Sequence, residues 1–436
     1  LISKGLNQTP LQSGFVITFF GVNVTFWKEQ GLLRGGRFLI LIPTKFLLSY
    51  IEVSANLLNV KLFYKIQENF MPDPRVIKLA KVLVDYSLEI KSGQQMELRA
   101  SPLADELALA VYAEAVKAGA HVAISNSLPG AEENFYKYAT EAQLDYVSPL
   151  YKLTVESFDA ILYIEAEHNT RALSGVDPSR LARSRKARAA ISKILLERSA
   201  RHELRWCYTV YPTPAAAQEA DMSLADYQDF VYHAGLLNEA DPVAAWQNEL
   251  KRQHELMAWL AGKDQIKLKG AHIDLTFSIK DRQFVESAGK FNFPDGEIFT
   301  GPVEDSINGW VRFRYPAIYD GQEVTEVELW FADGKIVKEK AGKGQELLSA
   351  LLNTDSGARY LGEWGIGTNY HIQRFTKNML FDEKIGGTIH LAVGASYPET
   401  GGKNDSGLHW DMLCDMAESE ITVDGEIFYR NGKPVV

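Results

Sequence analysis

The residues best placed for chemistry lie near the C-terminus, in the run Gly407-Leu408-His409-Trp410-Asp411. This is His-x-Asp in an extended, apolar-flanked setting, and residues two apart on a strand share a face. An imidazole nitrogen and a carboxylate oxygen held side by side can reach one cation, at about 2.0–2.2 Å for zinc. The same spacing recurs in the strand-like run His272-Ile273-Asp274, so the pair alone does not single out a site. Company separates the two. Upstream of Asp411 lie Glu363, the Asp382-Glu383 pair and His390. His390 sits in the apolar stretch Ile389–Gly394, where an imidazole needs a partner. Glu297 follows the turn Pro294-Asp295-Gly296 and heads into a short strand. Carboxylates and imidazoles without a thiolate suit Zn²⁺, Co²⁺ or Mn²⁺. The set is larger than one tetrahedral ion takes and fits two ions sharing a bridging carboxylate. Spacing leaves a second reading open, in which these are unrelated salt-bridging groups on a β-rich fold. The other histidines (His121, His168, His202, His233, His254 and His371) read as surface or satisfied core residues.

Two regions must position these groups. From Asp73-Pro74 an amphipathic helix runs through Ile90, followed by a strand at Gln95–Arg99 and a helix over Ala104–Ala118 with Ser101 as its cap. Short apolar strands follow at His121–Ser125 and Asp159–Ile164, then helices at Pro178–Ala200, Ser223–His233 and Val243–Ala261. Strands alternating with helices predict an α/β domain with a parallel sheet over 71–262. After Gly262-Lys263 the pattern turns to apolar/polar alternation at Ile266–Leu268, His272–Phe277, Val311–Tyr315, Thr325–Phe331 and Ile336–Lys340, divided by turn signals such as Asp320-Gly321 and Asp333-Gly334. With a helix near Gly344–Leu352 and a closing hairpin around Asp424-Gly425, this predicts a mostly antiparallel, β-rich domain over 263–436 that carries the candidate metal ligands.

Residues 1–70 differ from the rest. They hold seven Lys and Arg against three Glu and no Asp, while the whole chain of 436 residues carries a net charge of −10. Neither of the apolar runs Phe15–Trp27 and Phe38–Ile51 reaches the roughly 18 uninterrupted residues of a spanning helix, and no signal-peptide pattern lines up. The segment reads as a non-native or accessory extension, the native protein starting at Met71. The acidic balance argues against nucleic acid as a partner. With 46% hydrophobic and 23% charged residues the chain has the composition of a globular protein rather than a disordered one. Two cysteines, Cys207 and Cys414, exclude a disulfide scaffold and fit a reducing, cytoplasmic setting. Cys207 reads as a small buried hydrophobe, and Gly365-Ile366-Gly367 and Gly386-Gly387 as turn glycines. No phosphate loop, nucleophile elbow or His-Glu-x-x-His motif occurs.

At these residues the sequence resembles the aminopeptidase T/aminopeptidase S metallopeptidases, the thermophilic aminopeptidase family. The resemblance covers 71–436 and rests on Pro294–Thr300, Leu361-Gly362-Glu363, Asn378–Glu383 and Ser406–Asp411, with Trp206–Pro214 and Met222-Ser223 in the α/β part. It implies a peptidase that removes N-terminal residues from peptides with a free α-amine, through a water activated at a two-metal centre, as a homodimer. By motif, Glu297, Glu363, Glu383, His390, His409 and Asp411 take the metal positions. The resemblance also implies that Glu363 bridges and orients or deprotonates the attacking water, and that Tyr397 hydrogen-bonds the oxyanion. The sequence departs from the family in a Glu383–His390 interval two residues longer than expected and in Trp364–Gly367, which stands in for a more aliphatic run. A metal-dependent amidase or deacylase, and a non-catalytic, metal-stabilised peptide-binding oligomer, are the alternatives. No membrane partner is expected.

Overall fold

The computed structural model describes residues 73–319 and 321–436, together with the backbone of four strands at Gly14–Phe19, Val22–Lys28, Arg37–Leu41 and Leu48–Glu52. Those four strands pair antiparallel in chain order and form a unit of their own. Apart from them, the reading of 1–70 as an extension lies outside the described residues.

The second unit begins at a capped helix. Asp73 accepts the backbone N–H of Arg75 and Pro74 opens the helix Pro74–Lys81, which widens into a π-helical segment at Val82–Ser87, short of the expected end at Ile90. Five parallel strands follow in the spatial order Asn292–Phe293, Arg205–Val210, Ala160–Glu165, Gln95–Ala100, His121–Asn126. The expected strands are present within a residue or two. Arg205–Val210 was not anticipated, because its apolar and polar residues do not alternate cleanly; Cys207 and Thr209 are both buried in it. The last strand, Asn292–Phe293, comes from the β-rich stretch of sequence. Phe293 packs on Trp246, and Thr209 Oγ1 donates to its carbonyl.

The remaining chain builds a two-stranded sheet, Ala317–Tyr319 with Gln322–Val324, and two large antiparallel sheets. One has eight strands, with Gln265–Gly270 and Ile273–Ser278 at its centre and the closing hairpin Ser419–Val423/Glu426–Arg430 toward one edge. The other has five strands in the order Val285–Ser287, Glu297–Thr300, Leu361–Gly367, Thr388–Gly394, His409–Asp415. One apolar core joins them: Leu268, Leu275 and Phe277 of the first sheet cluster with Ile298, Trp364, Ile366, Leu391, Trp410 and Met412 of the second. Each such side chain, fully buried, contributes roughly 1.5–3 kcal/mol. The strand expected at Val311–Tyr315 runs instead over Asn308–Arg312. Its first two residues, Asn308-Gly309, look like a turn in sequence, yet both pair with Ile273–Ser278 and Gly309 takes φ 119°. Among the described residues, no helix is long and apolar enough to cross a membrane.

Candidate metal centre

The five-stranded sheet is two-faced, and strand alternation makes it so. Trp364, Ile366, Ile389, Leu391, Val393, Trp410 and Met412 point into the core between the sheets. The residues between them face the other way, and there each of the five strand-borne candidate ligands has a glycine or an alanine as one cross-strand partner, while His390 also faces Leu413 and Glu297 faces Ser287. Glu297 pairs with Gly367, His390 with Gly365, Glu363 and Asp411 both with Ala392, and His409 with Gly394. Cross-strand partners share a face at close spacing, so the small residues open the room that the long polar side chains fill. At Gly365 this is strict: an added Cβ would lie 2.0 Å from His390 Cε1 and Nε2. Gly365 and Gly367 are therefore strand-interior glycines on the site face, not the turn glycines expected from sequence. Trp364, the departure from the family's aliphatic run, is fully buried on the opposite face against Phe277 and Phe284.

Five side chains converge in this space. His390 Nε2 lies 3.1 Å from Glu363 Oε1 and 3.3 Å from Glu297 Oε2. His409 Nε2 lies 3.3 Å from Glu363 Oε2 and 3.6 Å from Asp411 Oδ2. The donor atoms fall into two groups, Glu297/Glu363/His390 and Glu363/His409/Asp411, each spanning no more than 4.8 Å. Glu363 belongs to both and gives one oxygen to each. His409 Nδ1–H donates to the Ala395 carbonyl at 2.9 Å, which fixes the tautomer and aims Nε2 at the carboxylates, the arrangement typical of metal-binding imidazoles. Glu297 Oε2 is buried with no hydrogen-bond donor, because His390 Nε2 is directed at Glu363. An orphaned carboxylate oxygen beside two imidazoles and a shared carboxylate is the donor set a divalent cation requires, so the residues present fit a metal.

Without a cation, protons balance these charges. Burial, only partly offset by Lys384, raises the Glu297 carboxyl to about 8. Burial would also raise Glu363, but hydrogen bonds from His390 and His409 outweigh it and hold it at about 2. Burial works against charge on both imidazoles, yet Glu297 and Glu363 lift His390 to about 10, and Asp411 and Glu363 lift His409 to about 10. Cation binding must release these imidazole protons.

Two further sequence candidates stand beside the five. Glu383 caps the short helix Met379–Asp382 and lies outside both donor groups; its Oε1 accepts from Lys384 Nζ at 2.5 Å. Tyr397 is two-fifths exposed (41%), its ring 5.0 Å from that of His409 and 5.5 Å from that of Phe299. Desolvation around its hydroxyl and the Glu363 and Asp411 charges raise its pKa, so the phenol stays a donor. Sequence reasoning missed Lys384, which contacts Glu297, Glu383 and Asp295. Its position directly after the candidate ligand Glu383 was the available signal. The turn that delivers Glu297 is held by Asp295, which accepts the N–H groups of Gly289 and Gly296, and by Asn369, which donates to the Asp295 and Ala234 carbonyls. Cys207 is buried and unpaired as expected, its thiol pushed up by burial.

Known proteins resemble this chain over nearly the whole second unit. Residues 73–433 match the family described as thermophilic metalloprotease (M29). Aminopeptidase 2 of Geobacillus stearothermophilus is 29% identical over 410 residues, covering 81% of this chain and 96% of that protein. Aminopeptidase T of Thermus thermophilus is 26% identical over 392 residues, covering 81% and 95%. The solved structure of wild-type AmpT from Thermus thermophilus superposes with a TM-score of 0.73 at 25% identity, covering 83% of this chain and 99% of that one.

Proposed function

The chain belongs to the thermophilic metalloprotease family (M29), and from that membership we propose that it is a metal-dependent aminopeptidase, releasing N-terminal residues from peptides at a two-ion centre. One observation carries the reading: two cation-sized donor groups share Glu363, one oxygen to each. Two divalent ions there, Zn²⁺, Co²⁺ or Mn²⁺, would supply Lewis-acid polarisation of the scissile carbonyl, a lowered pKa for the attacking water and a seat for the free α-amine.

The protein's own groups do the rest. Glu297 and His390 hold one side of the centre, His409 and Asp411 the other, with Glu383 next to the first. Glu363, common to both donor groups, would orient the attacking water and accept its proton. Tyr397, protonated and half in solvent beside His409, donates to the oxyanion of the tetrahedral intermediate. These groups all fall in 263–436, which we read as the catalytic domain, with the α/β domain over 71–262 beside it. We also read the enzyme as a homodimer. Among the described residues no further strand pairs with the edge strand His121–Asn126, and Ile124, Leu128, Tyr138, Tyr146, Leu150 and Leu153 are exposed large apolar residues that a second copy would cover. Two buried free thiols fit a cytoplasmic setting.

The test compares leucine p-nitroanilide with its N-acetylated twin, using protein stripped with chelator and reloaded with Zn²⁺, Co²⁺ or Mn²⁺. Metal-restored cleavage of the free-amine substrate alone is expected. Equal cleavage of both would establish an amidase instead, and metal binding without cleavage of either would leave a peptide-binding protein.

A further inference from the structure

Lys384 is 1% exposed, and burial of that degree ordinarily strips a lysine of its proton. Here the ammonium touches Glu297 Oε1, lies 2.5 Å from Glu383 Oε1 and 3.7 Å from Asp295 Oδ1. Its backbone is pinned as well, its N–H donating to the Phe381 carbonyl and its carbonyl accepting from Asn369. The lengthened interval between Glu383 and His390 begins with this residue.

We propose that Lys384 is a positioning residue of the centre, a built-in cation that orients Glu297 and completes the charge of a two-ion site. The inference rests on the two-ion reading above. By occupying Glu297 Oε1, Lys384 leaves Oε2 as the oxygen that faces His390 and Glu363. By bonding Glu383 Oε1, it fixes that side chain next to Glu297 rather than inside the donor groups. Charge points the same way. The enclosure contains five carboxylates: Asp295, Glu297, Glu363, Glu383 and Asp411. With both imidazoles neutral as ligands, two divalent ions compensate four of them, and Lys384 compensates the fifth. The ion at Glu297/Glu363/His390 depends on Lys384; the one at Glu363/His409/Asp411 does not touch it.

Equilibrium dialysis of the full chain against Mn²⁺, with bound metal counted by atomic absorption, tests this without reference to activity. The unsubstituted protein is read first: fewer than two ions per chain would overturn the two-ion reading itself. Lys384→Gln keeps a hydrogen-bond donor for Glu297 without the charge, and Lys384→Met keeps the aliphatic stem; taking both guards against one failing to fold, which near-UV circular dichroism reports. The expected result is one ion held with unchanged affinity and the other bound at least tenfold more weakly, with kcat for leucine p-nitroanilide falling more than KM rises. Lys384→Arg, which keeps the charge, is expected to recover part of the second ion. Two ions at unsubstituted affinity in either uncharged variant, or tighter binding, would overturn the proposal and make Lys384 a competitor for the metal.

Discussion

His409-x-Asp411 and His272-x-Asp274 are the same pattern, and the fold puts them to different uses: His409 and Asp411 both lie in a strand, whereas His272 sits in the bend just before Ile273–Ser278. Asp274 lies opposite Lys269 on one neighbouring strand and Trp310 on the other, on the exposed side of the eight-stranded sheet. His409 and Asp411 lie opposite Gly394 and Ala392, and the next strand over brings Glu363 within 3.3 Å of His409. A strand sets which residues share a face, but its neighbours decide whether that face holds a cation or meets water. Large or basic cross-strand residues flank Asp274; small ones open the His409 position to carboxylates two strands away.

The largest effect expected from breaking this difference is at Glu363. Glu363→Gln keeps the shape but removes both the charge shared by the two donor groups and the proton acceptor. The catalytic constant for leucine p-nitroanilide should fall by about 10³-fold or more. Circular dichroism of the metal-free protein should be unchanged, since the amide oxygen can accept from one imidazole while its NH2 donates to the neutral Nε2 of the other. A loss below tenfold would move the proton acceptor elsewhere. Next comes Gly365→Ala, which tests the open face itself. The new methyl would sit 2.0 Å from the His390 ring, so the imidazole must leave its place or the strands must part. Destabilisation of about 1–3 kcal/mol is expected, with weakened metal binding by the same dialysis. Unchanged metal binding would mean that His390 is not a ligand.

What could be read from sequence follows the same logic. The α/β and antiparallel regions were legible because period-two and helical patterns are local, and the ligand types were legible because few residues do that chemistry. The pairing of each ligand with Gly or Ala was not, since it depends on the register of strands as far apart in sequence as Glu297 and Gly367. That is why Gly365-Ile366-Gly367 reads as a turn although it is strand interior, and why Lys384 goes unnoticed: a lysine is ordinarily a surface residue, and only the fold brings Asp295, Glu297 and Glu383 around it.

A smaller effect separates partnered from unpartnered carboxylates that are largely shielded from water. Glu165 ends the parallel strand Ala160–Glu165, and among the described residues its carboxylate has no ion-pair or hydrogen-bond partner. Burial, with the Glu167 charge added, raises it from 4.5 to about 7. A carboxyl whose folded pKa exceeds its unfolded value binds its proton more tightly when folded. Its contribution to stability is therefore fully present below about pH 4.5 and is lost as pH rises toward 7. Glu165→Gln should stabilise the protein by roughly 2 kcal/mol at pH 8 and by almost nothing at pH 4. Thermal melts at the two pH values measure the difference, and an equal gain at both would show that burial of charge is not the cause.

The smallest effect expected returns to the decoy. His272→Ala with Asp274→Ala removes an exposed carboxylate flanked by Lys269 and Trp310 and a half-buried imidazole, so no buried charge is left unmatched and no cavity opens. Stability should shift by no more than about 0.5 kcal/mol for each substitution, the range of surface changes away from special contacts. Metal content should remain that of the unsubstituted protein, and kcat/KM should stay within about twofold, near 0.4 kcal/mol. The paired experiment, His409→Ala with Asp411→Ala, removes the same residue types at the same spacing and should abolish one bound ion. If the His272 pair also changed metal content, the strand pattern rather than the cross-strand neighbours would govern binding. Retained metal in the His409 pair variant would show that the small residues facing it leave room for something other than a cation.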